Sequence, residues 1–141
     1  MKFPIEYDVD LGKTDSEPME LRSGHRPVIL TGPPPEFGGT DMVWSPEHLL
    51  VSAAASCMTA TFLAAASRAS LRVGALRCRA KGYLDRSEGR IAFSEMDLAF
   101  TIHVLAEDVA KTNTLFEESK RHCFVANSLA CTVNTTVEVL S

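Results

Sequence analysis

Apolar and polar positions alternate along most of this chain, and the alternation stops in one place. Residues 49–67 are nineteen consecutive residues without a charge. The surrounding stretch, SPEHLLVSAAASCMTATFLAAASR over residues 45–68, predicts a helix. Ser45 suits the capping position, Pro46 the first helical position, and Glu47 the positive end of the helix dipole. Ala, Leu, Met and Phe sustain the helix, and Arg68 suits its negative end. A helix apolar on every side is either a core helix or a membrane span. This one barely reaches the length of a bilayer, and its many Ala, Ser and Thr residues make it weakly hydrophobic. It is therefore read as the central helix of a folded core, with Cys57 buried at its middle.

The rest of the chain reads as strands and one further helix. N-terminal strands are expected over residues 1–31. Phe3, Ile5, Tyr7 and Val9 alternate over 1–10, with Pro4 suggesting an edge, and a turn follows over 12–18. Short strands over 19–22 and 27–30 flank a Ser23–Gly24 turn. Residues 32–44 form a loop rich in Pro and Gly. Its Phe37, Met42 and Trp44 either pack onto the core or rim an apolar pocket. Beyond the central helix, residues 71–105 read as an antiparallel hairpin with a turn over 85–89. Leu76, Cys78 and Ala80 share one face of its first strand. Met96, Leu98, Phe100, Ile102 and Val104 share one face of its second. A second helix is expected over 107–122, with Glu107 and Asp108 in its first turn and Lys120, Arg121 and His122 in its last. An irregular segment, 123–129, leads to a closing strand over 131–140. There Cys131, Val133, Thr135, Val137 and Val139 share a face.

This order defines a single α+β domain over 1–141, with mainly antiparallel sheets around a long buried central helix. One sheet covers one side of such a helix, so a second copy of the chain is expected to cover another. The composition fits a globular protein: 45% hydrophobic, 23% charged and a net charge of -4. That charge gives no reason to expect a nucleic acid or an anionic membrane as partner. The first ten residues are too acidic for a secretory signal, so a reducing, cytoplasmic setting with free thiols is expected for Cys57, Cys78, Cys123 and Cys131. Their spacings match no common zinc pattern, and no phosphate- or dinucleotide-binding loop is present, so neither metal nor cofactor is expected.

The cysteines differ in setting. Cys78 and Cys131 lie on the apolar parity of their strands, where cysteine behaves as a small buried hydrophobe. Cys57 lies mid-helix. Cys123 follows three basic residues on an irregular segment, where access is easier; nearby cations lower a thiol pKa, while a helix C-terminus opposes that.

Two segments together carry a resemblance. The helix has Pro46-Glu47, then Leu49-Leu50, then an Ala-rich run and Cys57 ten positions after the glutamate. The second segment is HCFVANSL, beginning at His122. With YLDR, TIHV and the closing VNTTVEV, these are similar to the family of osmotically inducible protein C and organic hydroperoxide resistance protein (OsmC/Ohr). The likeness runs from about Gly38 onward. It departs at Phe124 and Ala126, where the family has Pro and Ser.

The resemblance implies an intertwined homodimer and a thiol peroxidase. By it, Cys57 attacks an organic hydroperoxide and becomes a sulfenic acid. Cys123 then closes a disulfide, and an external dithiol reduces it. Only a thiolate attacks, so a cation must favour one. The family uses an arginine from the N-terminal strands, held by the glutamate of the Pro-Glu pair. That assigns Glu47 as holder, with Arg22 and Arg26 as the nearest candidates by position. Ten helical residues separate Glu47 from Cys57 by about 15 Å along the axis and about 80° around it. They would meet between two antiparallel copies rather than within one. The alternative is a non-catalytic protein of the same fold that binds a small hydrophobic ligand at the dimer interface.

Overall fold

The computed structural model describes residues 3–15 and 18–141. Residues 1–2 of the expected first strand and 16–17 of the expected turn lie outside them. The chain divides into two compact units, Met1–Leu49 and Leu50–Ser141, each described by itself below.

The first unit is built on three short antiparallel strands in chain order: β1 (Asp10–Gly12), β2 (Met19–Arg22) and β3 (Ile29–Thr31). The long strand expected over 1–10 is not found. Residues 3–9 are unpaired, and Phe3, Ile5, Tyr7 and Val9 are exposed. The register explains it. Asp10 pairs with Arg22, the last residue of β2. A partner for Val9 would have to come from Ser23, where the chain already turns through Gly24 at φ 53°. The third strand begins at Ile29 rather than 27, because Pro27 has no N–H to give a ladder. The Pro/Gly loop holds one 3₁₀ turn, Pro35–Phe37, and its ends are tied by Gly32 N–H to the Trp44 carbonyl at 3.0 Å. Phe37, Met42 and Trp44 stay exposed. Met42 and Trp44 line a cavity of about 250 Å³ with Asp41, Val43 and His48, so the pocket-rim reading fits these two better than core packing.

The long helix α1 (Pro46–Arg68) begins as expected: Ser45 Oγ accepts the His48 backbone N–H at 3.2 Å. In the second unit it packs on a three-stranded sheet of β4 (Ala75–Ser87), β5 (Arg90–His103) and β6 (Thr132–Leu140), with β5 central. The β4–β5 hairpin is tighter than expected. Ser87 pairs with Arg90, leaving Glu88 and Gly89 as a two-residue turn with φ of 50° and 78°. Positive φ at both is the twist-matched hairpin geometry. The closing strand runs parallel to β5. A parallel neighbour needs a crossover. A 3₁₀ turn (Ala106–Asp108), α2 (Val109–Lys120) and α3 (Phe124–Ser128) supply it.

The core forms where the alternating faces meet α1. Met96, Leu98, Phe100 and Ile102 of β5 are buried, with Leu76, Cys78, Val133, Val137 and Val139 packed around them. From α1 come Ala54, Met58, Phe62 and Ala66. Their spacing of four makes one stripe down the helix. Phe116 of α2 ties the layers, its ring centred 5.4 Å from Phe62 and 5.0 Å from Phe100. The remaining α1 residues of this unit are half or fully exposed. The helix is therefore not buried all round within one chain, because one sheet and one short helix cover one side.

Candidate active site

Cys57 and Cys123 are brought together. Cys57 sits mid-α1, one position before the buried Met58, which turns it to the margin of the packed stripe. Cys123 immediately precedes α3, in extended conformation at its N-terminal cap position. The two side chains are neighbours, close enough for the Cys57 thiol to act on the Cys123 thiol, and both are free.

Their exposures reverse what the sequence suggests. Cys57 is half-buried, whereas Cys123 is 1% exposed. An irregular segment is not an accessible one: α3 folds its first turn back over the core, with Val125 and Ala126 packed against it. Cations do not dominate at Cys123 either. Burial pushes its thiol above the ordinary value, and the neighbouring Cys57 thiol adds to this. Backbone N–H groups of Ala126 and Val125 act in the opposite direction. Of the preceding bases, Lys120 is engaged elsewhere. Lys120 pairs with Glu117 at 2.7 Å and stands 5.8 Å from the Phe116 ring centre. The Arg121 carbonyl accepts from Asn127 Nδ2 at 3.0 Å. Cys78 and Cys131 lie half-buried against the core, and burial raises the Cys78 thiol.

One turn of α1 beyond Cys57 lies a cavity that the sequence reading missed. It measures about 360 Å³ and is lined by Thr61, Ala65, Arg68 and Ala69, with Leu115, Glu118, Ser119 and His122 opposite. Thr61 stands one turn beyond Cys57 and donates its hydroxyl to the Cys57 carbonyl at 2.8 Å. His122 directly precedes Cys123. The spacing Cys57, Thr61, Ala65, Arg68 traces one face of a helix and was the available signal. Among the described residues there is no cluster of three His, Cys, Asp or Glu able to hold a metal ion.

The other predicted site residues lie in the first unit. Arg22 forms an ion pair with Glu20. Arg26 Nη1 donates to the Ser23 carbonyl and hydroxyl at 3.4 and 3.3 Å. Glu47, in the first turn of α1, has its Oε2 buried without a hydrogen-bond partner among the described residues. Among the described residues, no ion pair joins it to either arginine.

An α+β chain with two three-stranded sheets, a long small-residue helix and a thiol pair formed by that helix and the segment after α2 defines a thiol protein of the OsmC type. The chain belongs to the OsmC-like protein family, whose profile matches residues 39–138. No curated protein matches it. Solved structures agree in fold. An OsmC-like protein of unknown function from Vibrio cholerae superposes with a TM-score of 0.84 at 19% identity, covering 96% of this chain and 100% of that one. An OsmC-like protein from Mycoplasma pneumoniae gives 0.83 at 18%, covering 99% and 100%. An organic hydroperoxide resistance protein from Elizabethkingia anophelis gives 0.73 at 16%, covering 97% and 98%.

Proposed function

We propose that this protein is a thiol-dependent peroxidase that reduces organic hydroperoxides by a two-cysteine cycle. The contact between the Cys57 and Cys123 thiols carries the reading. Cys57 is the attacking residue, being the more open of the two. Its thiolate attacks the O–O bond, an alkoxide leaves and takes a proton, and a sulfenic acid remains. Cys123 displaces water from that sulfenic acid and closes the disulfide. An external dithiol restores both thiols. The working form is a cytoplasmic homodimer in which a second copy covers part of the open face of α1 and leaves the Cys57 thiol reachable. Glu47 holds the guanidinium that favours the Cys57 thiolate, and its unpartnered Oε2 suits that role. Arg22 and Arg26 remain the candidates for the guanidinium.

One equivalent of cumene hydroperoxide should remove two thiols per chain, and Cys57→Ser should abolish the loss. Unchanged thiol titres would overturn the peroxidase reading. They would favour the second reading, a non-catalytic protein binding a small hydrophobic ligand at the dimer interface. The local engagement of Arg22 and Arg26 speaks for that alternative.

A further inference from the structure

We infer that the external thiol attacks the disulfide at Cys57, so that the mixed disulfide forms on α1 and Cys123 is the leaving group. The inference rests on the two-cysteine reading above and adds its direction. In a disulfide either sulfur is open to attack in principle, and access is one of the factors that choose between them. Cys123 is enclosed by its own chain, among Val125, Ala126 and the buried core. At 1% exposure it offers an incoming thiolate no approach. A second copy of the chain adds cover and removes none, so Cys123 stays enclosed in any assembly. Cys57 is half-open, at the margin of the stripe that α1 packs on the sheet.

Backbone mobility points the same way. Cys57 is fixed in the middle of a 23-residue helix whose next residue, Met58, is locked in the core. Cys123 therefore makes the adjustment when the S–S bond forms, moving toward Cys57 from beneath it.

The step balances as an exchange. The thiolate of the external dithiol forms an S–S bond to Cys57 Sγ as the Cys57–Cys123 bond breaks. The electron pair of that bond goes to Cys123 Sγ, which takes up a proton. The dithiol's second thiol then attacks its own partner sulfur in the mixed disulfide. Cys57 leaves as thiolate, and the dithiol is oxidised to a disulfide by two electrons.

The test uses the full-length wild-type protein. It is oxidised with cumene hydroperoxide in one arm and with diamide in the other. Each sample is treated briefly with 2-mercaptoethanol, quenched with excess N-ethylmaleimide and mapped by peptide mass spectrometry. The expected result is the mercaptoethanol adduct on Cys57 and the maleimide on Cys123, favoured over the reverse by about tenfold or more. The adduct on Cys123, or an even split, overturns the inference, as does failure of both oxidants to join Cys57 to Cys123. A Cys57–Cys123 disulfide made by diamide but not by peroxide defeats the peroxidase reading, while the adduct position in the diamide arm still decides the direction of attack.

Discussion

The thiol of Cys57 meets the thiol of Cys123, although 65 residues and four strand or helix segments lie between them. The meeting is a product of topology. β5 returns the chain along α1, and the crossover that lets β6 run parallel to β5 carries Cys123 back to the middle of the helix. A pair held this way can close a disulfide without global rearrangement, which is what a rapid sulfenic acid trap needs.

The two cysteines should therefore fail in different ways. Cys57→Ser should eliminate peroxide consumption. Cys123→Ser should still form a sulfenic acid at Cys57, but with repeated peroxide it should gain two or three oxygens there and lose activity. Intact-mass spectrometry after each peroxide addition distinguishes the two. A Cys123→Ser protein that turns over at the wild-type rate without overoxidation would remove Cys123 from the cycle.

Phe116 should be the most costly core position to truncate. It is fully buried and sits between Phe62 of α1 and Phe100 of β5. Phe116→Ala should destabilise the fold by about 3–5 kcal/mol, as measured by urea unfolding. Phe116→Leu, which keeps part of the volume, should lose less.

How much of this was written in the sequence depends on which question is asked. The start of α1 was legible because Ser45 and Pro46 act locally. The inward parity of Met96, Leu98, Phe100 and Ile102 was legible because a strand has only two faces. The stripe of α1 that faces the sheet was not. A helix apolar all round gives no periodic signal, so nothing separates Cys57 from Met58 until the sheet is placed against one of them. The parallel direction of β6 was equally hidden, since alternation is the same in either direction. The exposures of Cys57 and Cys123 were read in reverse for these reasons. The pairing itself rested on the resemblance, not on spacing.

Raised thiols predict alkaline sensitivity. Burial raises both Cys123 and Cys78 above 9.0, so the folded state holds these protons more tightly than the unfolded chain does. Their contribution is complete below the unfolded value and is lost as pH rises through 9.0 toward the folded values. Stability measured by urea should fall from about pH 8 to about pH 10. The slope should be shallower in the Cys78→Ala, Cys123→Ala double variant. An unchanged slope would place the loss on other groups.

Glu88 offers a stabilising change. It adopts φ 50° beside Gly89 at 78°, in a two-residue turn where asparagine accepts positive φ more readily than glutamate. Glu88→Asn should raise stability by about 0.5–1 kcal/mol, read as a higher urea midpoint at unchanged slope. Gly89→Val should lower it.

A substitution at Glu47 separates the proposed catalytic role of the helix start from its structural role. A buried carboxylate oxygen left without a partner costs about 1–3 kcal/mol, and Glu47 Oε2 has none among the described residues. If its function is to hold a guanidinium for Cys57, Glu47→Gln keeps the shape and the helix start but loses the charge-assisted bond. Turnover of cumene hydroperoxide should then fall by about ten- to a hundredfold in kcat/KM, the rate equivalent of about 1.5–3 kcal/mol. Disulfide formation by diamide, which needs only the meeting of Cys57 and Cys123, should proceed as in the wild type. Equal losses in both assays would mean that the substitution disturbs the fold, and no loss in either would leave the activating cation to be sought away from Glu47.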